Sequence, residues 1–380
     1  KTQAAVDGKY RNLFEAAVKG DWKFAEPILD VDPEAVAATV MTVRGKPMTV
    51  LEVAIMTTHD QFVENLVKLP QKFSVDILER ALVNAASRGR IRMVNALVDK
   101  VDAASESIGS ALRQALSYAP MRKEVIWSLV KRMKGGPTKP IMVKLVMAGH
   151  LDIVLYLAPQ YGYSTTSKNN TKIELLKDLV KMDSYFYSGA RFTFLENCIY
   201  RCIPLCLVDT SFDNPKDRKI VQVSPALKRF KIWLWNHATK PAHFIKRIGE
   251  SKLTHKYSLE FANLALSKKE IGTITPETLK LTSEIVLEAA YRGNSEIVKL
   301  CLKNFPELMW DKKIAKTLIQ EVVNGRQVEL FRLANTHLSD GNFTKNGLMK
   351  VMTKWTPRCA SPDVSGAAFL MQRELQWYKV

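Results

Sequence analysis

Apolar residues recur along this chain at the three- and four-residue spacing of helices buried on one side. Ile153, Val154 and Leu157 show it, as do Met93, Val94 and Leu97, and Phe62, Val63 and Leu66. Small residues and a glycine often stand just ahead of such a set. Ala85-Ala86-Ser87-Arg88-Gly89 precedes Met93, and Leu145-Val146-Met147-Ala148-Gly149-His150 precedes Ile153. This order predicts a helix with a close-packing face, a left-handed turn at Gly and a second, amphipathic helix.

Comparing the chain with itself extends the pattern. Leu13 to Val36 aligns without gaps on Val286 to Met309. Glu15, Ala16, Ala17, Gly20, Leu29, Pro33 and Glu34 recur there as Glu288, Ala289, Ala290, Gly293, Leu302, Pro306 and Glu307. Weaker copies place the second small residue at Ala17, Ala54, Ala86, Leu116 and Val146, then at Ala290 and Val322. The period is near 33 with two helices per unit. One helix pair cannot hide its apolar faces alone, so the units must stack into an all-α solenoid.

The units resemble ankyrin repeats in degenerate form. The Thr-x-Leu-His-x-Ala start of that family stands here as Thr49-Val50-Leu51-Glu52-Val53-Ala54, where Glu52 in place of His removes a helix-start hydrogen-bonding group. Lys19-Gly20-Asp21-Trp22 with Asp32-Pro33-Glu34, the basic joint at Lys246-Arg247-Ile248 and Lys252 to Lys256, and the segment Val364 to Tyr378 are similar to plant ankyrin-repeat membrane proteins of the accelerated-cell-death and salt-tolerance type. The resemblance implies a cytosolic repeat region acting in defence or stress signalling. It also implies an exit helix at Val364 to Tyr378 leading into a membrane domain, of the type called PGG, beyond Val380.

The expected organisation is a first ankyrin-repeat block at 10–208, a basic connecting segment at 209–256 and a second block with the exit helix at 257–380. Tyr161 to Thr171 reads as a polar loop, and Asn214-Pro215-Lys216-Asp217 as a block-ending turn. Thr275-Pro276 reads as a helix start.

Charge is the compositional outlier, with a net +18. Residues 214–257 hold eleven Lys or Arg against two acidic residues, half of that surplus. Within them Lys228, Arg229 and Lys231 alternate with Phe230, Trp233 and Trp235. Together with Lys246 and Arg247 they suit an amphipathic helix packed on the solenoid. The same residues would suit an anionic membrane surface, while nucleic acid is not expected because no recognised motif accompanies them. Arg44 and Lys46 sit on a predicted finger between the first two units. Arg88, Arg90, Arg122 and Lys123 sit at helix-pair turns. These six are the candidate partner-binding residues, suited to an acidic protein or to phospholipid headgroups.

No apolar run reaches the roughly 18 residues of a membrane span. Lys1-Thr2-Gln3 opens no signal peptide. Five cysteines, an odd number, point to reduced thiols on a cytosolic face. Cys198, Cys202 and Cys206 could line one helix face, but Pro204 interrupts it and no His is near, so they read as buried small hydrophobes, like Cys301 and Cys359. His150 reads as a structural hydrogen-bonding residue. Nucleophile, phosphate-loop and metal motifs are lacking. The expectation is a non-enzymatic protein-interaction scaffold with no cofactor, no metal and no small-molecule substrate; the alternatives are a peripheral anionic-lipid-binding module or the regulatory domain of an ion-conducting membrane protein.

Overall fold

The computed structural model describes residues 4–70, 73–101, 106–161, 170–190, 192–203, 243–267, 274–336 and 372. They are mostly helical, and the chain divides into two compact units, Lys1–Ile153 and Val154–Val380.

In the first unit the helices come in pairs. These are α1 (Arg11–Lys19) with α2 (Trp22–Val31), α3 (Val50–Met56) with α4 (Asp60–Lys68), and α5 (Val75–Ser87) with α6 (Ile91–Val98). Then follow α7 (Glu106–Tyr118) with α8 (Lys123–Arg132), and α9 (Lys139–Met147) with the start of α10 (Leu151–Leu157). First helices pack on first helices, from α1 through α3, α5 and α7 to α9, and α4, α6 and α8 form a second row. The small pairs make the first row possible, since Ala16, Ala17, Ala85, Ala86, Ala111 and Ala115 are all essentially inaccessible. The core of the unit runs between the two rows, through residues such as Leu13, Phe62, Leu82, Met93 and Leu97.

A small sheet accompanies the helices. β1 (Ala4–Val6), β2 (Thr39–Val43) and β3 (Lys46–Thr49) pair antiparallel in that order. The β2–β3 hairpin is the predicted finger. Its turn residues Arg44 and Gly45 have φ of 50° and 76°, the two left-handed residues that a tight hairpin turn needs. β1 was not foreseen, because three residues are too few to show an alternation.

In the second unit the described helices after the end of α10 are α11 (Thr171–Val180), α12 (Phe194–Cys202), α13 (His243–Ala265), α14 (Pro276–Arg292), α15 (Ser295–Asn304), α16 (Lys312–Asn324) and α17 (Val328–Thr336). α11 packs on α14 and α14 on α16, while α13, α15 and α17 form the companion row. Thr275 caps α14 as expected, accepting from the Thr278 amide at 3.2 Å. The expected boundary at 208 lies outside the described residues. The one at 256 falls within α13, which continues unbroken from the basic segment into the second block.

The two best-matched sequence copies have the same local structure. α1 and α14 both end at a left-handed Gly, with φ of 73° at Gly20 and 80° at Gly293. Ala16, Ala17, Ala289 and Ala290 are buried alike, and Pro33 and Pro306 each open a short 3₁₀ turn after the second helix. One hydrogen bond sets the register of six of the copies; the Leu116 copy has Pro120 at the donor position and lacks it. The carbonyls of Ala16, Ala54, Ala85, Leu145, Ala289 and Val322 accept from the amides of Asp21, His59, Arg90, His150, Asn294 and Gln327. Ala54 and Val322 thus match Ala16, not Ala17, so the expected series is one residue out at both. Residue type alone cannot separate two adjacent small positions. For the same reason the left-handed residue of the last copy is Arg326 (φ 53°), whereas Gly325 has φ −84°.

The residue that donates this amide also ties neighbouring helix pairs together through its side chain. His59 Nε2 meets the Val18 carbonyl at 2.8 Å, Arg90 donates to Thr58 at 3.2 Å and His150 Nε2 meets Pro120 at 2.6 Å. In the second unit Asn294 donates to Val180 at 3.3 Å and Gln327 to Ala290 at 3.2 Å. Such a bond contributes about 1 kcal/mol, and leaving the carbonyl unpaired costs more.

Gly89 tests this turn. Its φ is +67°, and an added methyl would lie 2.6 Å from Arg122 Cγ and 3.0 Å from Ala119 Cβ. Gly89→Ala is therefore expected to lower stability by about 1–2 kcal/mol, measured by denaturant unfolding against Gly45→Ala, whose added methyl meets nothing within 4 Å.

Candidate functional site

An open groove of about 450 Å³ crosses the first-helix row of the first unit. Met48 enters it from β3, Met56 from α3, Asn84 from α5, Arg88 from the C-cap of α5, and Gln114 and Tyr118 from α7. Val83 and Ser87 complete it. Tyr118 is 74% exposed and Met56 45%, so both present apolar surface beside the groove. Thioether and phenol groups adapt to differently shaped apolar ligands. Met56, Arg88 and Tyr118 stand at the ends of successive first helices, so the packing of α3, α5 and α7 brings them together.

The six candidate binding residues divide into two groups. Arg90 is committed to Asp60 at 2.6 Å and Lys123 to Asp152 at 2.6 Å, both within the unit. Arg44 and Lys46 are exposed on the hairpin, and Arg88 and Arg122 are exposed at helix-pair turns. Among the described residues no ion pair or hydrogen bond engages the charged group of any of these four. The Arg122 stem packs over Gly89.

The described part of the basic joint is also engaged. Lys246 lies 3.9 Å from Glu250, and Arg247 donates to Glu196 at 2.5 Å. Lys252 donates to the carbonyls of Tyr200 and Ile203 at 2.6 and 2.7 Å, satisfying the free C-terminal end of α12. Lys228, Arg229, Lys231, Trp233 and Trp235 lie outside the described residues.

Sequence reading missed an aromatic cluster in the second unit. Tyr187 stacks on Tyr200 at 4.8 Å, and Phe192 lies 5.4 Å from Tyr200. His255 bonds Tyr200 Oη through Nδ1 at 2.9 Å and the Ser184 carbonyl through Nε2 at 3.0 Å. A carbonyl can only accept, so Nε2 carries the proton and Nδ1 accepts from the phenol. Burial holds His255 below its ordinary value, and pushes Tyr200 up to about 12. These residues come from three separate segments, and no spacing rule links them.

His150 is also held below its ordinary value, chiefly by burial. For both histidines the unfolded chain takes up a proton first on acidification. Their stabilising contribution is then complete above about pH 6.5, the ordinary value, and is lost as pH falls below it toward the folded value. Around His255 stand Tyr187, Tyr200, Lys252 and Glu296, and around His150 stand Asp152 and Lys123. The expected result is a midpoint that drops between pH 7 and 5 in the native protein and drops less in the His150→Gln, His255→Gln double variant.

The cysteines also differ from expectation. Cys301 is buried and burial pushes its thiol up to about 12, but Cys198 and Cys202 are exposed on α12. α12 turns its polar Tyr200 and Glu196 toward α13, leaving the thiols outward. Cys206 and Cys359 lie outside the described residues. Among the described residues no group of His, Cys, Asp and Glu is arranged to hold a metal ion, and no helix is long and apolar enough to cross a membrane.

Neither protein-family models nor curated proteins match this chain.

Proposed function

We propose that this chain is an ankyrin-type repeat scaffold that binds a protein partner, without catalysis of its own, through the groove on its first-helix row and the neighbouring hairpin. The observation that carries the reading is the groove itself. It juxtaposes exposed Met56 and Tyr118 with an unpaired Arg88 at the ends of successive first helices. The recurrent helix pairs, left-handed turns and hairpin finger support the ankyrin-type assignment. With it comes the reading of a degenerate repeat array tethered at the cytosolic face of a membrane in plant defence or stress signalling. An anionic-lipid role for the basic joint is not favoured over its described part, where Lys246, Arg247 and Lys252 already have partners.

Twelve-residue peptides selected by display on the whole chain test the proposal. Selected peptides are expected to lose about tenfold or more in affinity toward the Met56→Ser, Tyr118→Ala double variant, since truncating a central aromatic anchor typically costs that much. Peptides that bind the variant as well as the native chain would place the binding surface elsewhere.

A further inference from the structure

The chemistry of the groove narrows what it can hold. Basic side chains on the surrounding helices are mostly neutralised within the unit. Arg80 is held by Glu52 and Asp76, Arg90 by Asp60 and Arg92 by Glu64. Arg88, between them in sequence and inside the groove, has no such partner among the described residues, and no acidic residue lines the groove. A planar guanidinium left open beside apolar surface is suited to a carboxylate.

Two carboxamides add a second requirement. Asn84 on α5 and Gln114 on α7 line the same groove, and no hydrogen bond within the described residues uses either side-chain amide. A carboxamide offers both a donor and an acceptor, which is what an extended main chain presents in return. Packed helix axes lie about 8–10 Å apart, and an extended chain advances about 3.3 Å per residue. The two amides therefore address main-chain groups roughly three residues apart. Met48, Met56 and Val83 supply an apolar wall for an intervening side chain.

We propose that the groove takes an extended acidic peptide segment, its side-chain carboxylate on Arg88, its main chain on Asn84 and Gln114, and a neighbouring apolar side chain on Met48 and Met56. This rests on the reading of the groove as the binding surface. The apolar wall and the two carboxamides favour such a segment over a lipid headgroup, which presents no main chain for them to bond.

The probes are labelled twelve-residue peptides with one leucine and one glutamate about three residues apart, matched against the glutamine versions, and phosphatidylserine vesicles. The native chain is expected to bind the glutamate peptides at least about tenfold more tightly than the glutamine ones, as a charge-assisted pair provides. Arg88→Gln should abolish that difference, whereas Arg92→Gln, with the same change in net charge outside the groove, should preserve it. Equal binding of both peptide sets, still sensitive to the Met56→Ser, Tyr118→Ala variant, would overturn the acidic preference while leaving the groove as the binding surface. Loss of the difference in Arg92→Gln as well would reduce it to net charge and overturn it too. Vesicle binding that Arg88→Gln removes, with no peptide binding, would overturn the proposal in favour of a lipid headgroup. No binding of any probe would overturn both the proposal and the groove reading.

Discussion

Phe62→Ala is expected to lower the stability of the first unit by about 3–5 kcal/mol, the loss typical of a deleted buried aromatic side chain. Phe62 is 1% exposed and lies between α4 and α2, with its ring edge-on to Trp22 at 5.4 Å and 78°. The substitution removes apolar burial and the aromatic contact together. It also leaves a cavity that Val63 and Leu66 cannot fill, because both are already fully packed. Guanidinium unfolding followed by circular dichroism would measure the effect. A loss below about 1 kcal/mol would mean that α2 and α4 do not pack as described.

The second large effect concerns Glu52, which is 4% exposed. One carboxylate oxygen accepts from the Thr49 amide at 2.9 Å and from the Thr49 hydroxyl, while the other accepts from Arg80 Nε at 3.0 Å. Arg80→Ala would leave a buried carboxylate without its cation. Removing one member of a fully buried pair costs about 3–5 kcal/mol. Arg80 is 46% exposed, so water can partly take its place and about 2 kcal/mol is expected. Adding Glu52→Gln should recover most of that loss, because an amide keeps the cap to Thr49 and carries no charge. If the double variant is no more stable than Arg80→Ala alone, the ion pair is not the cause.

Glu52 also shows how far the sequence could be read. Its departure from the family's His predicted a lost helix-start hydrogen bond. The carboxylate instead closes a reciprocal cap with Thr49, and Arg80, 28 residues away, makes its burial tolerable. The Thr-x-x-Glu spacing was present in the chain, but the cation that permits it came from the next helix pair. The candidate cations follow the same logic. Arg88 and Arg90 are two residues apart and look equivalent in sequence, yet only Arg90 faces an acid across the stack. Cys198 and Cys202 were expected to be buried because cysteine usually is, but the face that α12 buries was chosen by Tyr200 and its bond to His255.

Local pattern was sufficient for the helix pairs, their left-handed turns, the basic finger and the equivalence of the first and later copies. Each rests on contacts within about 25 residues: small residues for close approach, Gly for positive φ, apolar spacing for a buried face. The one-residue register of the weaker copies, the pairing of individual charges, the aromatic cluster around His255 and the groove across α3, α5 and α7 came only with tertiary structure. They join side chains from different helix pairs, and local spacing specifies the form of each pair more strongly than which residues its neighbours will present to it.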